Sequence, residues 1–167
     1  MIKGRDPRTP NASAPLQRTY DQALAALQRG DPVKAEKGLR KVIKSADPSP
    51  EAHFTLGLAL QAQGKLAPAA DQYRRGTELD PQSAELWMNL GRVRLQLEQA
   101  ESASKAFQRA IVLDPVNPAA HAGAGESLAM SGRYDEAENC FRLALQRAPG
   151  DPGLIVYIAR MMDARGE

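Results

Sequence analysis

Apolar and small residues recur along the chain in a fixed rhythm, and the rhythm predicts helices. The stretch from Pro50 to Pro81 reads as two helices, over residues 50–63 and 66–79, with a turn at Gly64 and Lys65 between them. The same arrangement returns at 84–117 and again at 118–151, each time 34 residues further on. A fixed period of this length marks an array of helix pairs. We therefore expect an all-α chain.

The recurrence is carried by three kinds of position that stay in phase. The first helix of each repeat carries Leu or Ala followed directly by Gly. The second helix carries an Ala, and an aromatic residue follows later in the same helix. The members are Leu56-Gly57, Leu90-Gly91 and Ala124-Gly125, then Ala69, Ala103 and Ala137, and then Tyr73, Phe107 and Phe141. Small side chains let helix axes approach to about 8–10 Å. We expect the aromatic rings to fill the space between repeats.

Capping residues indicate where the helices begin. Asp31, Ser49, Ser83, Asn117 and Asp151 each precede a predicted helix, and all but Ser83 are followed by proline. A side-chain oxygen at this place accepts a hydrogen bond from a free backbone N–H, and proline has no N–H to leave unsatisfied. The predicted helices lie near 16–29, 32–45, 50–63, 66–79, 84–97, 100–113, 118–131, 134–147 and 152–165.

These residues resemble the tetratricopeptide repeat family. The third repeat carries the family's pattern at Trp87, Leu90, Gly91, Ala103, Phe107, Ala110 and Pro115. It departs from the pattern at Arg94, where an aromatic is usual, and at Glu98, where a turn glycine is usual. The resemblance implies a right-handed α-solenoid of about four helix pairs plus a C-terminal helix. The domain would span 15–166, with repeats over 16–49, 50–83, 84–117 and 118–151, a final helix over 152–165, and a flexible arm over 1–14.

Composition narrows the class of partner. Hydrophobic residues make up 43% of the chain and aromatics only 5%, so the core must be built mainly from Ala and Leu. The net charge of +2 comes from the first residues, where Lys3, Arg5 and Arg8 face Asp6, whereas the chain from residue 16 onward is neutral. Proteins that bind nucleic acid usually show a basic footprint. We therefore expect a protein partner and no nucleic acid.

Cysteine content and hydropathy bear on the compartment. Cys140 is the only cysteine, which rules out an internal disulfide framework. No apolar run follows the charged N-terminus, so no signal peptide is expected. No stretch approaches the roughly 18 consecutive apolar residues of a membrane helix. The sequence predicts a cytoplasmic protein without membrane contact.

Catalytic chemistry has no candidate residues in this sequence. His53 and His121 stand at the repeat position that Trp87 occupies, so we interpret both as packed core histidines. Cys140, beside Phe141, has no histidine near it in sequence and is interpreted as a small buried or half-buried hydrophobe. No glycine-rich phosphate loop or paired metal-ligand motif appears. The prediction is a non-enzyme without metal or cofactor.

The resemblance also implies where binding would occur. In this family the first helices line a concave groove that takes a peptide or a helix of a partner. The groove positions carry over to Tyr20, Asp21, Leu24, Glu51, Phe54, Leu58, Glu85, Met88, Asn89, Arg92 and Glu126. Burial of the apolar members would supply affinity, and the charged members would supply specificity. For any one of these residues, the simpler interpretation is that its side chain only packs against a neighbouring helix. The apolar residues taken together favour a protein-interaction scaffold.

The final helix leaves alternatives open. Leu154, Val156 and Met161 would lie on the side that a missing partner helix would cover. This helix is then either a cap kept soluble by its charged residues, or a contact covered by a second copy or by further chain. The alternatives to the scaffold are accordingly an accessory arm of a larger enzyme, such as a bacterial sulfotransferase, and a self-associating structural protein that dimerises through this helix. The partner, the process and the oligomeric state stay open.

Overall fold

The computed structural model of the chain describes residues 14–45 and 48–166, and every regular element in these ranges is an α-helix. The all-α prediction is thereby confirmed. The predicted arm over 1–14 lies outside the described residues except for Ala14, which is the first residue of a helix and not part of an arm. The helices are α1 Ala14–Gln28, α2 Pro32–Val42, α3 Pro50–Gln61, α4 Leu66–Leu79, α5 Ala84–Gln96, α6 Ala100–Leu113, α7 Pro118–Met130, α8 Tyr134–Arg147 and α9 Pro152–Arg165.

The predicted caps hold the N-termini of five helices. The Asp31 carboxylate accepts from the Lys34 N–H at 3.0 Å, and Asp151 accepts from the Gly153 N–H at 2.8 Å. Ser49, Ser83 and Asn117 cap α3, α5 and α7 in the same way. Each such cap is typically worth about 1 kcal/mol of stability. These five helix starts were therefore predictable from side-chain chemistry alone.

One helix end differs from the prediction by more than two residues. α2 ends at Val42, whereas the pattern predicted residue 45. The Ser45 N–H bonds to the carbonyl of Val42, three residues back, at 3.1 Å. This tighter bond closes the last turn before the chain leaves the helix, a common way for an α-helix to end.

The helices form two compact units, one ending at Pro81 and one starting at Gln82. The first unit holds α1 to α4, and close approach of small residues organises it. A Cβ on Gly38 would lie 2.9 Å from the Ala23 Cβ, and one on Gly57 would lie 2.5 Å from Cε1 of Tyr73. Tyr73 is fully buried, and its hydroxyl donates to Gln61 at 3.0 Å. Glycine is required at 57 because the Tyr73 ring occupies the space that a side chain would need.

The second unit holds α5 to α9 and repeats this packing. A Cβ on Gly91 would lie 2.9 Å from Cζ of Phe107, and one on Gly125 would lie 2.9 Å from Cε1 of Phe141. Both rings are at most 2% exposed. The predicted close approach at the recurring glycines is confirmed in both units. In the second unit the rings also fill space between repeats as predicted, because Phe107 lies over Gly123 of α7 and Phe141 packs with Leu154 of α9.

The terminal helix α9 is attached by its inner face. Leu154 and Met161 are each 4% exposed and belong to the same apolar cluster as Phe141. The prediction that they share an exposed face with Val156 is therefore wrong, because only Val156, at 51%, faces outward. The α9 face that lacks a covering helix instead carries Ile155, Val156 and Met162. An ion pair of 3.1 Å from Arg165 Nη2 to Asp135 Oδ1 holds the end of α9 near α8.

A buried carboxylate joins the helices of the first unit. Glu36 on α2 is 8% exposed and accepts from Lys65 Nζ, Gln63 Nε2 and Arg40 Nε at 2.8, 2.8 and 2.9 Å. The hydrogen bond from Lys65 is the largest of the effects that hold the pKa of the Glu36 carboxyl at about 2, below its ordinary value of 4.5. Because Lys65 precedes α4 and Gln63 follows α3, this cluster fixes α2 against the turn between them.

Within the described ranges, no helix is both long and apolar enough to cross a membrane.

Candidate functional site

The groove positions of the first unit are closed by their own side chains. The Tyr20 hydroxyl lies 3.0 Å from Thr55 Oγ1, and burial is the main reason that the pKa of this phenol is raised. The Phe54 ring lies 6.0 Å from the Tyr73 ring, at a tilt of 51°. Leu24, Glu51, Phe54 and Leu58 are half-buried, and Asp21 is exposed and accepts from Gln17 at 2.9 Å. Bulky side chains thus occupy this face of the first unit.

The second unit has a hollow at the corresponding place. A cavity of about 330 Å³ opens among α5, α7 and α9, and its base is formed in part by the Phe107 ring of α6. We call it the groove cavity. Its lining consists of Met88, Arg92, Leu95, Phe107, Pro118, Ala119, Ala122, Gly123, Glu126, Asp151, Gly153, Leu154 and Tyr157.

Three of the five groove residues predicted in this unit meet in the groove cavity. Met88 and Arg92 approach from α5, and Glu126 approaches from α7. Met88 is only 8% exposed, so it belongs to the apolar core as much as to the cavity. Glu85 and Asn89 do not line the cavity, and the Asn89 amide donates to the Glu85 carbonyl at 2.9 Å.

The cavity exists because α7 carries almost no side chains on this face. Ala119, Ala122 and Gly123 stand where α3 has Glu51, Phe54 and Thr55. A Cβ on Gly123 would lie 2.4 Å from Cε1 and Cζ of Phe107, so the ring already fills the space over this glycine. With only two methyl groups and a glycine on this helix face, the Phe107 and Leu154 side chains lie at the bottom of a hollow.

Charged groups of opposite sign border the groove cavity. Arg92 is exposed on α5, and Glu126 is half-buried on α7. Burial raises the pKa of the Glu126 carboxyl, and this effect is opposed by a hydrogen bond from Tyr157 and by the charge of Arg160. Among the described residues no ion pair joins Arg92 to Glu126. Asp151, a third charged group of the lining, caps α9 through the Gly153 N–H.

A second hollow of about 240 Å³ shares the Glu126 and Tyr157 wall. It is bordered by Met130, Tyr134 and Arg160, among others, and Phe141 and Met161 lie at its apolar side. The Phe141 ring stacks on the Tyr157 ring, with centroids 6.0 Å apart and planes 11° apart. Tyr157 is therefore held by its ring while its hydroxyl reaches Glu126.

Sequence reasoning missed several lining residues. Leu95, Leu154 and Tyr157 were not predicted as groove residues, and Leu154 was assigned to an outer contact. The signal that could have revealed the cavity is the coincidence of Ala119, Ala122 and Gly123 at groove positions in one repeat. These small residues were visible in the sequence. Whether they border a cavity depends on which side chains of other helices pack beside them.

The residues considered for catalysis are packed. His53 is 4% exposed, its Nδ1 lies 2.9 Å from Gln72 Oε1, and burial lowers its pKa. His121 is 7% exposed, and its Nε2 lies 3.0 Å from the Pro115 carbonyl. Burial raises the pKa of the half-buried Cys140 thiol, because it disfavours the charged thiolate. The interpretation of the two histidines as core residues is confirmed. In the part of the chain that the structure describes, no cluster of His, Cys, Asp and Glu could hold a metal ion.

Residues 8–167 match the family model described as the Cilia and flagella-associated protein 70 C-terminal domain. Protein O-mannosyl-transferase TMTC1 of Homo sapiens is 33% identical over 99 residues, which are 59% of this chain and 10% of that protein. DnaJ homolog subfamily C member 3 of Mus musculus is 30% identical over 101 residues, 60% of this chain and 20% of that protein. The chain thus spans a tenth to a fifth of the length of these relatives.

Solved structures of MamA share the fold. One crystal structure of MamA superposes with a TM-score of 0.85 at 24% identity, covering 90% of this chain and 82% of that one. MamA from Desulfovibrio magneticus RS-1 gives a TM-score of 0.87 at 17% identity, covering 92% and 87%. At these identities the likeness concerns the fold alone, and it confirms the tetratricopeptide-type solenoid. The general role that follows from fold and family is that of a protein-interaction scaffold. By its repeats and by the match over residues 8–167, the chain belongs to the tetratricopeptide repeat family of the Cilia and flagella-associated protein 70 C-terminal domain.

Proposed function

We propose that the chain binds a peptide or helix of a partner protein, and that the groove cavity is the centre of this binding. The observation that carries the proposal is an open hollow of about 330 Å³ with apolar side chains at its base and charged groups at its border. Binding sites are usually concave, largely apolar and preformed, with a few polar groups that set orientation. The groove cavity has each of these properties.

The energetics favour binding by insertion of a side chain. Burial of apolar surface contributes about 25 cal/mol for each Å² removed from water. A hollow that is already formed adds little cost for reorganisation of the protein, so more of this energy appears as affinity. The groove positions of the first unit, Tyr20, Asp21, Leu24, Glu51, Phe54 and Leu58, remain predicted contacts outside this centre.

The test fills the cavity. Short random peptides displayed on phage are selected on the immobilised chain, and the selected peptides are measured by fluorescence anisotropy against Ala122→Phe. The matched control is Val112→Phe, which adds a ring at a 68% exposed position outside the cavity. We expect Ala122→Phe to weaken binding by about tenfold or more, which is about 1.4 kcal/mol, while Val112→Phe binds as the parent does. Equal binding by both variants, or failure to select any peptide, would contradict the proposal.

Self-association is a second proposal, supported by the outer face of α9. Ile155 is 57% exposed, Val156 51% and Met162 43%, on one terminal helix. Clustered apolar exposure of this kind often marks a contact between proteins. Light scattering over a range of concentrations should show a dimer for the parent chain and a monomer for the Val156→Lys, Met162→Lys double variant. A parent chain that is monomeric at every concentration would refute it.

The accessory-arm alternative is supported by the relatives. Protein O-mannosyl-transferase TMTC1 is a transferase by name, and this chain matches only 10% of its length. On this alternative the chain would act within a longer polypeptide that carries the enzyme. The length of the coding sequence tests it: an open reading frame that ends at Glu167 and begins at Met1 would exclude it.

A further inference from the structure

We infer that the groove cavity selects a segment in which one bulky apolar residue lies between an acidic residue, on the Arg92 side, and a basic residue, on the Glu126 side. The inference rests on the proposed function and names the chemistry of the peptide which that site would take. Three observations carry it: the size of the cavity, the nature of its base, and the order of the charges along its border.

The size limits the occupant to one large side chain. Pockets that enclose a whole drug-sized ligand run from about 300 to 1,000 Å³, and the groove cavity, at about 330 Å³, lies at the small end. Part of that space is needed for the backbone of the bound segment. A side chain of the size of Leu, Met or Phe fills the rest, whereas Ala would leave the base of the hollow without contacts.

The base of the cavity is apolar and adaptable. Phe107 and Leu154 are at most 4% exposed and form its most buried part. Met88 and Leu95 border it from α5, and the flexible thioether of Met88 can adjust to side chains of different shape. A polar side chain placed here would lose its water without a partner, at a typical cost of about 1–3 kcal/mol. The inserted residue is therefore apolar.

The charges at the border have a fixed order. Arg92 and Glu126 occupy the same repeat position on α5 and α7, so they approach the cavity from two different helices. No ion pair between these two residues neutralises either charge. The carboxylate of Asp151 adds negative charge where α9 begins, and Arg160 acts on Glu126 from the second hollow. A segment with an acidic residue before or after the anchor and a basic residue on its other side complements this order.

Charge order should set orientation more than affinity. Exposed ion pairs contribute typically about 0.2–1 kcal/mol each, while complementary charge patterns exclude wrong partners and fix register. The apolar anchor therefore provides most of the binding energy. The flanking charges decide the direction in which the segment lies across α5 and α7.

The experiment uses three synthetic peptides derived from one selected sequence. The first keeps the acidic residue, the apolar anchor and the basic residue, the second replaces the anchor by Ala, and the third exchanges the two charged residues. We expect the anchor replacement to weaken binding to the full chain by about tenfold or more. The exchange of charges should weaken it by about threefold to fivefold.

Reversal of a border charge on the protein tests the same charge order independently. Arg92→Glu should abolish the preference for the first peptide over the exchanged one, because both borders are then acidic. Arg147→Glu, on the exposed surface of α8 outside the cavity, is the matched control and should leave the preference as it is. Thermal unfolding of both variants, each at an exposed position, checks that the fold is kept.

The outcomes separate the two levels of the proposal. Peptides that lose binding to Ala122→Phe but bind equally well with either order of charges would overturn this inference and leave the proposed function in place. Peptides whose binding is insensitive to Ala122→Phe would overturn both. A loss of the charge preference in Arg147→Glu as well as in Arg92→Glu would also overturn the inference, since it would reflect net charge rather than the border of the cavity.

Discussion

Helices α3 and α7 occupy the same place in the repeat, one in each unit, yet they present opposite kinds of surface. On α3, Phe54 lies against Tyr73 and Thr55 bonds to Tyr20, so the face is filled. On α7 the corresponding residues are Ala122 and Gly123, and the face opens into the groove cavity. The backbone arrangement is common to both. In this repeat the small side chains of α7, rather than a change of fold, create a cavity.

The largest effect should come from the residues that both helices share. Replacement of Gly57 or Gly125 by Leu drives a side chain into the ring of Tyr73 or Phe141, since even a Cβ would lie 2.5 or 2.9 Å from the ring. We expect each variant to lose about 3 kcal/mol of unfolding free energy, measured by urea denaturation. Gln146→Leu, at an exposed site on α8, is the control and should change it by less than about 0.5 kcal/mol. An unchanged midpoint for Gly125→Leu would break the claim of a common packing.

The next prediction exchanges the side chains that distinguish the two faces. Phe54→Ala removes a half-buried ring from α3 and should cost about 1–3 kcal/mol, because its contact with Tyr73 is lost. Ala122→Phe places a ring in an existing hollow and should change the unfolding free energy by less than about 1 kcal/mol. Chemical denaturation measures both. If Ala122→Phe destabilises as much as Phe54→Ala, the α7 face is not open in solution.

Buried charge also separates the two units. Glu36 of the first unit is the one carboxylate among the described residues that is nearly excluded from water. Its pKa in the folded state, about 2, is below its ordinary value of 4.5, so its stabilising contribution is complete above about pH 4.5 and is lost as the pH falls towards 2. Glu36→Gln should lower stability by about 1–2 kcal/mol at pH 7, an estimate reduced for the partial exposure of its partners.

The pH dependence provides the control for that variant. The difference between the parent and Glu36→Gln should shrink steadily below pH 4.5 and nearly vanish near pH 2. A difference that stays constant across this window would mean that the lost contacts are not ionic. Glu136→Gln, whose carboxylate is exposed on α8, should have a much smaller effect at every pH.

The smallest prediction concerns the turns. Glu98 adopts a φ of 58°, whereas the equivalent turns use Gly64 at 71° and Gly132 at 73°. This left-handed conformation strains a residue that has a side chain, so Glu98→Gly should stabilise the chain by about 0.5–1 kcal/mol. Thermal unfolding would detect the increase. The converse change, Gly132→Ala, should destabilise by a comparable amount, and a loss of stability in Glu98→Gly would contradict the assignment of strain.

Local chemistry made most of the fold predictable. The capping oxygens of Asp31, Ser49 and Asn117 act within three residues, so the helix starts could be read without knowledge of any distant contact. The recurrence of glycine and aromatic residues, from Gly57 and Tyr73 to Gly125 and Phe141, was equally predictable. Each repeat packs a ring against a glycine in the same way. Where local signals were weak, as at the end of α2, the predicted boundary was three residues too long.

The outer face of α9 was the point at which sequence alone misled. This helix carries apolar residues around much of its circumference, so its pattern did not indicate which of them α8 would cover. The structure buries Leu154 and Met161 against the Phe141 cluster and leaves Ile155 and Met162 outside. Met88, predicted as a groove residue, is 8% exposed and belongs both to the core and to the lining of the groove cavity.

The helices, their caps, the repeat and the family could be predicted from the amino-acid sequence, because all of these depend on residues close together or in fixed phase. That three small residues on α7 border a cavity could not be predicted in this way, since it depends on how the helices pack. The space beside a small residue either stays open or is filled by a neighbouring side chain. Which of the two occurs on α7 depends on Phe107, Leu154 and Tyr157. Those neighbours come from α6 and α9, so the shape of the site is a property of packing rather than of any single segment.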